Sequence, residues 1–522
     1  MNQPSPPPAW HRFAPNPAAG LLGLMALQMA LSIYPLIRAP LWLDEAYSAL
    51  LARETPAGIA DHLVYDAGPP LYYLLLSAWR SVAGESEAAL RSLSLAGALA
   101  TTALIWLAMR RWTNQWTAWL AAAFWALNPL TIAYACEARN YTLLTTLAMA
   151  ALVAWDIFCS KGNWRALAGW GAASLALVYT HNIGWFFMAG QIVLTPLRVG
   201  WSKRLWAFGT MVFGVILLYL PWTPVLLDQM QNTHQTIAWA EAFQTPWGSL
   251  LSLNAFLPGG WTPAFMAKPA LPWPAQWGQA LLWGALALWG VKSLGQEKHR
   301  SLRYAVMLGG LALVGLTAYS QAGQPVYLIG RTDFILLPLW CLLLAQGTAQ
   351  LALPRLQWGA AGVYGVAAFI TLGLQWSAPA PLNSENVAHY IASRGQPGGV
   401  VLCTGLTRPP MEYHLAPKGF SFVSYPADMA NQLAHINERW YARHLDLAQE
   451  AHEAIQRAVQ ATAPRGMIWV VGSRRPVNEP LWQALRESNH LRGSHQPIQS
   501  PRMGLRKLNE PLFLLRYEVI QP

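Results

Sequence analysis

The chain has 522 residues, 54% of them hydrophobic and only 11% charged, with a mean hydropathy of +0.25. A soluble domain carries about 25% charged residues, so the composition excludes a soluble globular enzyme and points to a polytopic membrane protein. The net charge of +11 comes without a basic stripe or stacking array, which argues against nucleic acid as a partner; much of it falls where inward-facing loops carry Lys and Arg.

The first residues, MNQPSPPPAWHRFAPNP, are Pro-rich and read as a disordered cytoplasmic tail over 1–18. The apolar stretch that follows has no small-residue cleavage site and reads as an uncleaved anchor. Segments long enough to span a bilayer, about 20 residues each, fall near 19–37, 89–109, 115–135, 140–159, 205–225, 276–292, 303–320, 331–352 and 356–376. The region 164–198 is apolar except at His181 and Asn182 and has room for two short spans, which brings the expected total to about eleven. The 28 Trp suit the two lipid–water interfaces. Cys136, Cys159, Cys341 and Cys403 are scattered without metal-ligand spacing and read as small core residues.

Orientation follows from the cations of the short loops. Arg110–Arg111, Lys161 and Arg165, Arg198 with Lys203 and Arg204, Lys292 to Arg303, and Arg355 close alternate ends of the spans, and the opposite ends are poorer in cations. The N-terminus is then cytoplasmic, and the loops 38–88 and 226–275 face outward. The first of these reads LWLDEAYSALLARETPAGIADHLVYDAGPPLYY over 41–73. Thr55 and Pro56 make an N-cap and first-turn pair, and Ile59 and Leu63 follow at i,i+4, so 56–65 is expected as a short amphipathic helix on the membrane surface. PPLYYLLLSAW is read as an interfacial or partly inserted helix rather than a span, because counting it would turn Arg110–Arg111 outward. The second outer loop, dense in Trp and Pro, holds His234, Glu241 and Lys268 and is expected to form two surface helices.

From 379 to 522 the pattern changes. A helix from Ser384 to Arg394 closed by Gly395, a strand at GVVLCT, a helix over 445–460, a strand at GMIWVVG, a short helix over 480–488 and a final FLLRYEVI predict a small extracytoplasmic α/β domain. The fold class is thus an α-helical polytopic membrane protein with a transmembrane domain over 19–378 and a C-terminal α/β domain.

Charges in or beside membrane segments are costly and tend to mark function. On this topology Asp44, Glu45 and Asp66, then Glu137, Arg139 and Tyr141, then His181 and Asn182, and finally Arg331 and Asp333 all fall at one membrane surface. Carboxylates can serve as a general base or hold a metal, and Arg and His can neutralise a phosphate; together they suit transfer of a group away from a phosphate. Plainer readings exist for each. Asp44–Glu45 could be a solvated loop pair, Arg139 a snorkelling residue, His181 a hydrogen-bonded helix end, and Arg331–Asp333 a local ion pair. Glu137 and Asp61 are left to structural roles.

LWLDEAYSALLARE, DAGPPLYYLLLSAW and SEAALRSLSLAGALATTALIWLAMRRW resemble the N-terminal half of the membrane-embedded GT-C glycosyltransferases, in the branch of the dolichyl-phosphate-mannose protein mannosyltransferases and the bacterial aminoarabinose transferase of lipid A. EARNYTLL, VYTHNIGWFF and GRTDFILLPL are similar to later landmarks, so the resemblance runs over roughly 20–350 and leaves the C-terminal domain uncovered. It implies an inverting transferase that takes a sugar from a polyprenyl phosphate on the periplasmic or luminal side of a membrane, with a bacterial inner membrane as the expected location. It implies Asp44 as the catalytic base, paired with Glu45; Arg139, His181 and Arg331 as ligands of the donor phosphate; and Asp66, Tyr72 and Tyr141 as substrate-binding residues. A divalent metal, if used, would fall to Asp66 or His181. Many members place His or Lys immediately before the two prolines, where this chain has Gly68, which leaves the phosphate or metal side of the site short of one group. The acceptor is left open between protein, lipid and glycan. Rival readings are a flippase for lipid-linked substrates, for which no inverted repeat is evident, and a GT-C scaffold without activity.

Overall fold

Short polar residues at the head of several apolar runs cap the helices that follow. The chain opens with α1 (Pro17–Arg38) and continues through α2 (Leu43–Leu51), α3 (Pro56–Leu63), α4 (Leu71–Ala83) and α5 (Glu87–Trp112). Thr55 accepts from the Gly58 amide at 3.1 Å and Ser86 from Ala89 at 3.2 Å, each satisfying an otherwise orphaned N–H of the first turn. Next come α6 (Gln115–Ala126), α7 (Pro129–Ala135), α8 (Tyr141–Lys161), α9 (Trp164–Thr180), α10 (Gly184–Val199), α11 (Lys203–Tyr219) and α12 (Thr223–Gln231). Asn114, Asn128 and Asn163 cap α6, α7 and α9. Then follow α13 (Gly248–Ala255), α14 (Trp273–Ser293), α15 (Arg300–Gln321), α16 (Leu337–Ala349) and α17 (Pro354–Ser377). This computed structural model describes residues 17–38, 40–64, 66, 68–231, 240, 243, 245, 247–261, 271–323, 325–377, 384–426, 445–462, 466–473, 475–493, 504–505 and 510–520.

Among the described residues seven helices are long and apolar enough to cross a membrane, or eight if α6 and α7, bent by 60° at their junction, form one span. The other three of the eleven expected segments are α9 and α10, with 17 and 16 residues, and α14, whose 21 residues include several Trp and Gln. The expected surface helix is α3, with Ile59 and Leu63 turned into the core. The PP-led segment is α4, 13 residues long; at 1.5 Å per residue it reaches about 20 Å, too short to span. In and beside the loop 226–275 two helices are described, α12 and α13, while His234, Glu241 and Lys268 lie outside the described residues. The helices pack closely where side chains are small: a Cβ on Gly347 of α16 would run into the Leu286 carbonyl of α14.

The C-terminal body is an α/β/α sandwich. Its strands are β1 (Val400–Thr404), β2 (Ser421–Tyr425), β3 (Met467–Gly472), β4 (Leu491–Gly493), β5 (Gly504–Leu505), β6 (Glu510–Pro511) and β7 (Phe513–Val519). The main sheet runs β2-β1-β3-β7-β4; β1 lies parallel to both neighbours, with Val401 opposite Phe422, and β7 is antiparallel to β3 and β4. Alternation along the strands sends Val400, Leu402, Ile468 and Val470 to one face, against α20 (Leu447–Ala461) and α21 (Glu479–Glu487). Val401, Cys403, Trp469 and Val471 go to the other, against α18 (Ser384–Arg394) and α19 (Arg408–Leu415). All the segments expected here from sequence form, and α19, β2, β4, β5 and β6 are additional. Helix α19 rests on the loop 38–88: Tyr413 donates to the Glu85 carbonyl at 2.9 Å, and its ring centroid lies 5.0 Å from the Arg53 guanidinium. Arg53 and Arg80 both pair with the Glu85 carboxylate.

Candidate active site

Asp44 and Glu45 open α2, and neighbours on a helix point about 100° apart, so the two carboxylates face different surroundings. Asp44 turns toward the end of the bundle where α8, α10 and α16 begin. Its Oδ2 lies 2.8 Å from Arg331 Nη2 and 3.8 Å from Arg139 Nη2. Arg139 comes from the turn before α8, and its Nη1 reaches Ser48 Oγ at 3.4 Å. Arg331 follows Gly330, whose φ of +74° makes the reversal that points the next side chain inward. Its Nε donates to the Tyr141 hydroxyl at 2.6 Å, and its guanidinium lies 5.9 Å and 5.8 Å from the Trp42 and Tyr141 ring centroids. The two guanidiniums and the carboxylate between them are almost wholly out of water: Asp44 is 3% exposed.

The expected catalytic pair separates here. Glu45 is 0% exposed and is gripped by Arg91 of α5, Nε to Oε1 at 2.7 Å and Nη2 to Oε2 at 2.8 Å. It also accepts from the Ala138 amide at 3.0 Å and the Trp42 amide at 3.3 Å, while Arg91 Nη1 donates to the Leu36 carbonyl at 3.0 Å. Glu45 thus faces Arg91 and backbone amides, away from the Arg139 and Arg331 guanidiniums that Asp44 meets. One buried ion pair ties the end of α1, the segment carrying Asp44 and the turn carrying Arg139 into one frame.

Beside Asp44 is a cavity of ≈ 330 Å³. Polar residues line it, Asp66, Tyr73, Arg139, Tyr141, His181 and Arg331, and so do apolar ones, among them Trp185, Phe186, Leu226, Met230 and Val326. His181 Nδ1 accepts from the Ile183 amide at 3.2 Å, which leaves the proton of a neutral ring on Nε2. Burial, and then the charges of Arg139 and Arg331, push its pKa down to about 3. His181 is thus a neutral donor rather than a third cation. Asp66 accepts from the Tyr73 hydroxyl at 3.0 Å. Burial, followed by the Asp66 charge, holds the Tyr47 and Tyr73 phenols well above their ordinary 10.0. Gly68 lines the same wall, and a Cβ built there meets nothing within 4 Å. Gln229 of α12 donates to the Leu63 and Gly68 carbonyls at 2.7 Å and 3.0 Å and fixes the turn that carries Asp66.

Tyr72 lies apart from the cavity. It is 1% exposed, packs its ring on Tyr73 with centroids 5.7 Å apart, and is absent from the cavity wall, where Tyr73 stands instead. Arg331 and Asp333 also diverge: Arg331 turns to Asp44, whereas Asp333 accepts from Ser252 of α13, whose hydroxyl lies 2.7 Å from that of Tyr327. Sequence reasoning missed Arg91, Tyr73 and Gln229. A signal existed for Arg91, a charge inside an otherwise apolar helix, but none marked Gln229. Among the described residues no three His, Cys, Asp or Glu side chains converge in a set that could hold a metal ion.

A family model described as dolichyl-phosphate-mannose-protein mannosyltransferase matches residues 67–223. The crystal structure of ArnT from Cupriavidus metallidurans bound to undecaprenyl phosphate aligns over 95% of this chain and 98% of that one, at a TM-score of 0.61 and 12% identity. The fold is that of the GT-C membrane glycosyltransferases. The apo state of the same ArnT gives a TM-score of 0.59 at 13% identity, over 96% of this chain and 98% of that one. An oligosaccharyltransferase of Archaeoglobus fulgidus, tethered with an acceptor peptide containing the NVT sequon, gives 0.50 at 11% identity, over 87% of this chain and 69% of that one. No curated protein matches the chain. The GT-C architecture and its apolar helices make this an integral membrane protein, with the Asp44 cavity at one end of the bundle.

Proposed function

We propose that this protein is an inverting glycosyltransferase that moves a sugar from a polyprenyl-phosphate donor to an acceptor hydroxyl at the outer face of a bacterial inner membrane. The observation that carries the reading is the buried Asp44 carboxylate, 2.8 Å from Arg331 and 3.8 Å from Arg139, two guanidiniums that line a cavity together with apolar side chains. A phosphate needs the two guanidiniums, a hydroxyl nucleophile needs a base, and an isoprenoid needs an apolar wall; the three requirements meet here. ArnT was crystallised with undecaprenyl phosphate, which supports a lipid donor of the same class.

Before the donor binds, Asp44 meets the guanidiniums that the donor phosphate would take. As the phosphate enters, Arg331 and Arg139 swing part of their charge onto it, and His181 Nε2–H adds a neutral hydrogen bond. The acceptor oxygen attacks the anomeric carbon from the face opposite the phosphate and its proton passes to Asp44. The carbon–oxygen bond to phosphate breaks, and polyprenyl phosphate leaves with the electron pair. Guanidiniums fixed where negative charge grows are the kind of preorganised electrostatics that supplies the largest share of many rate enhancements. The orientation that puts this end outside rests on the cation-rich loops at the opposite ends of the helices. The test is loss of one sugar from the envelope glycans and lipids of a deletion strain, read by mass spectrometry and restored by the parent but not by Asp44→Asn. An unchanged glycan and lipid profile would remove the proposal.

A further inference from the structure

We infer that Tyr134 is a positioning residue of the two-arginine site, and that its hydroxyl fixes where Arg331 stands relative to Arg139. This rests on the donor reading above and deepens it. A phosphate shared by two guanidiniums needs them at a set separation, and here the two come from distant parts of the chain. Arg139 is set by α7 and the turn that follows it. The Ala138 amide donates to Glu45 at 3.0 Å, and the Arg139 carbonyl accepts from Ser94 of α5 at 3.1 Å. Arg331 stands on the reversal at Gly330, whose φ of +74° suits a residue without a Cβ. The freedom that lets glycine make the reversal also leaves its peptide for another group to hold.

Tyr134, near the end of the same α7, holds it. Its hydroxyl donates to the Gly330 carbonyl at 2.7 Å, and its ring packs against Tyr141 and Phe334, with centroids 4.6 Å and 4.5 Å away. Tyr141 in turn accepts from Arg331 Nε at 2.6 Å. Arg331 is thus tied to α7 twice, through the peptide it stands on and through its guanidinium, and α7 leads directly into Arg139. Tyr134 is 2% exposed and absent from the cavity wall, so it acts through Arg331 rather than on a ligand. Tyr134→Phe keeps the ring and its packing and removes one buried donor. The Gly330–Arg331 peptide is then free to turn, which carries the Arg331 guanidinium out of register with Arg139.

The test is undecaprenyl phosphate binding by the full-length protein in nanodiscs, arranged as a double-mutant cycle. Tyr134→Phe is expected to weaken binding by about three- to tenfold, the worth of one buried hydrogen bond. In an Arg331→Ala background the same change is expected to alter binding by less than about twofold, because the group it positions is gone. Gly330→Ala, which strains the same reversal, is expected to repeat this pattern. A general loss of packing would weaken binding alike in both backgrounds, so equal losses overturn the inference. So does a Tyr134→Phe protein that binds the lipid as the parent does; in both cases binding by the parent leaves the donor reading in place. Failure of the parent to bind the lipid overturns the donor reading, and this inference with it.

Discussion

Arg91→Met is the most searching perturbation of the frame under the site. Both partners of the Arg91–Glu45 pair are 0% exposed, and the substitution removes the bonds of 2.7 Å and 2.8 Å together with the 3.0 Å bond to the Leu36 carbonyl. Glu45 keeps its amide donors from Ala138 and Trp42, but its charge is left buried without its counter-ion. Breaking one side of such a pair costs about 3–5 kcal/mol, whereas replacing both sides by neutral groups of similar shape is often close to neutral. The expected order of stability is therefore parent, then Glu45→Gln/Arg91→Met within about 1–2 kcal/mol, then Arg91→Met about 3–5 kcal/mol below the parent. Reversible unfolding in mixed micelles, followed by fluorescence of the 28 tryptophans, reads all three. A single variant less than about 1 kcal/mol below the parent, or a double variant no more stable than the single, would refute the claim that this ion pair organises the loop.

Four further outcomes are expected. Asp44→Asn should lower transfer by about 10²–10⁴-fold, the usual worth of a general base, and keep undecaprenyl phosphate binding within a few-fold; near-parental turnover would remove Asp44 as the base. Arg331→Ala should weaken binding of that lipid by about 1.5–3 kcal/mol, roughly ten- to hundredfold, and unchanged affinity would count against its phosphate role. His181 has a folded pKa near 3 against 6.5 in its ordinary state, so the unfolded chain binds its proton more readily. Its contribution to stability is then flat above about pH 6.5 and falls as pH drops toward 3, and His181→Gln should flatten that slope; an unaltered acid limb of the unfolding curve would contradict the burial argument. Gly68→Lys should fold within about 0.5 kcal/mol of the parent, because nothing lies within 4 Å of the new Cβ. The added ammonium should also tighten undecaprenyl phosphate binding, which a titration of the bare lipid checks; a destabilised variant would show that the space is not open.

Much of this protein was legible in the chain itself, for reasons that are local. Apolar run length sets where a helix can cross a bilayer, so most spans could be placed, and Thr55–Pro56 announced α3 because a cap and a first-turn proline act within four residues. The strands GVVLCT, GMIWVVG and FLLRYEVI were readable for the same reason. The membrane topology also carried Asp44, Arg139, His181 and Arg331 to one end of the bundle, since alternate helix ends must share a side. Distances between them were not readable: that Arg331 answers Asp44 across 287 positions, rather than its neighbour Asp333, depends on how α2 and α16 pack. Rotation about a helix axis is equally invisible in a run of apolar residues. It decided that Tyr73 and not Tyr72 faces the cavity, and that Asp44 meets the arginines of the site while Glu45, one residue on, is spent on Arg91. Sequence alone gathered most of the charged groups at one end of the bundle; only the packing decided that Asp44 faces Arg139 and Arg331 while Glu45 is held by Arg91.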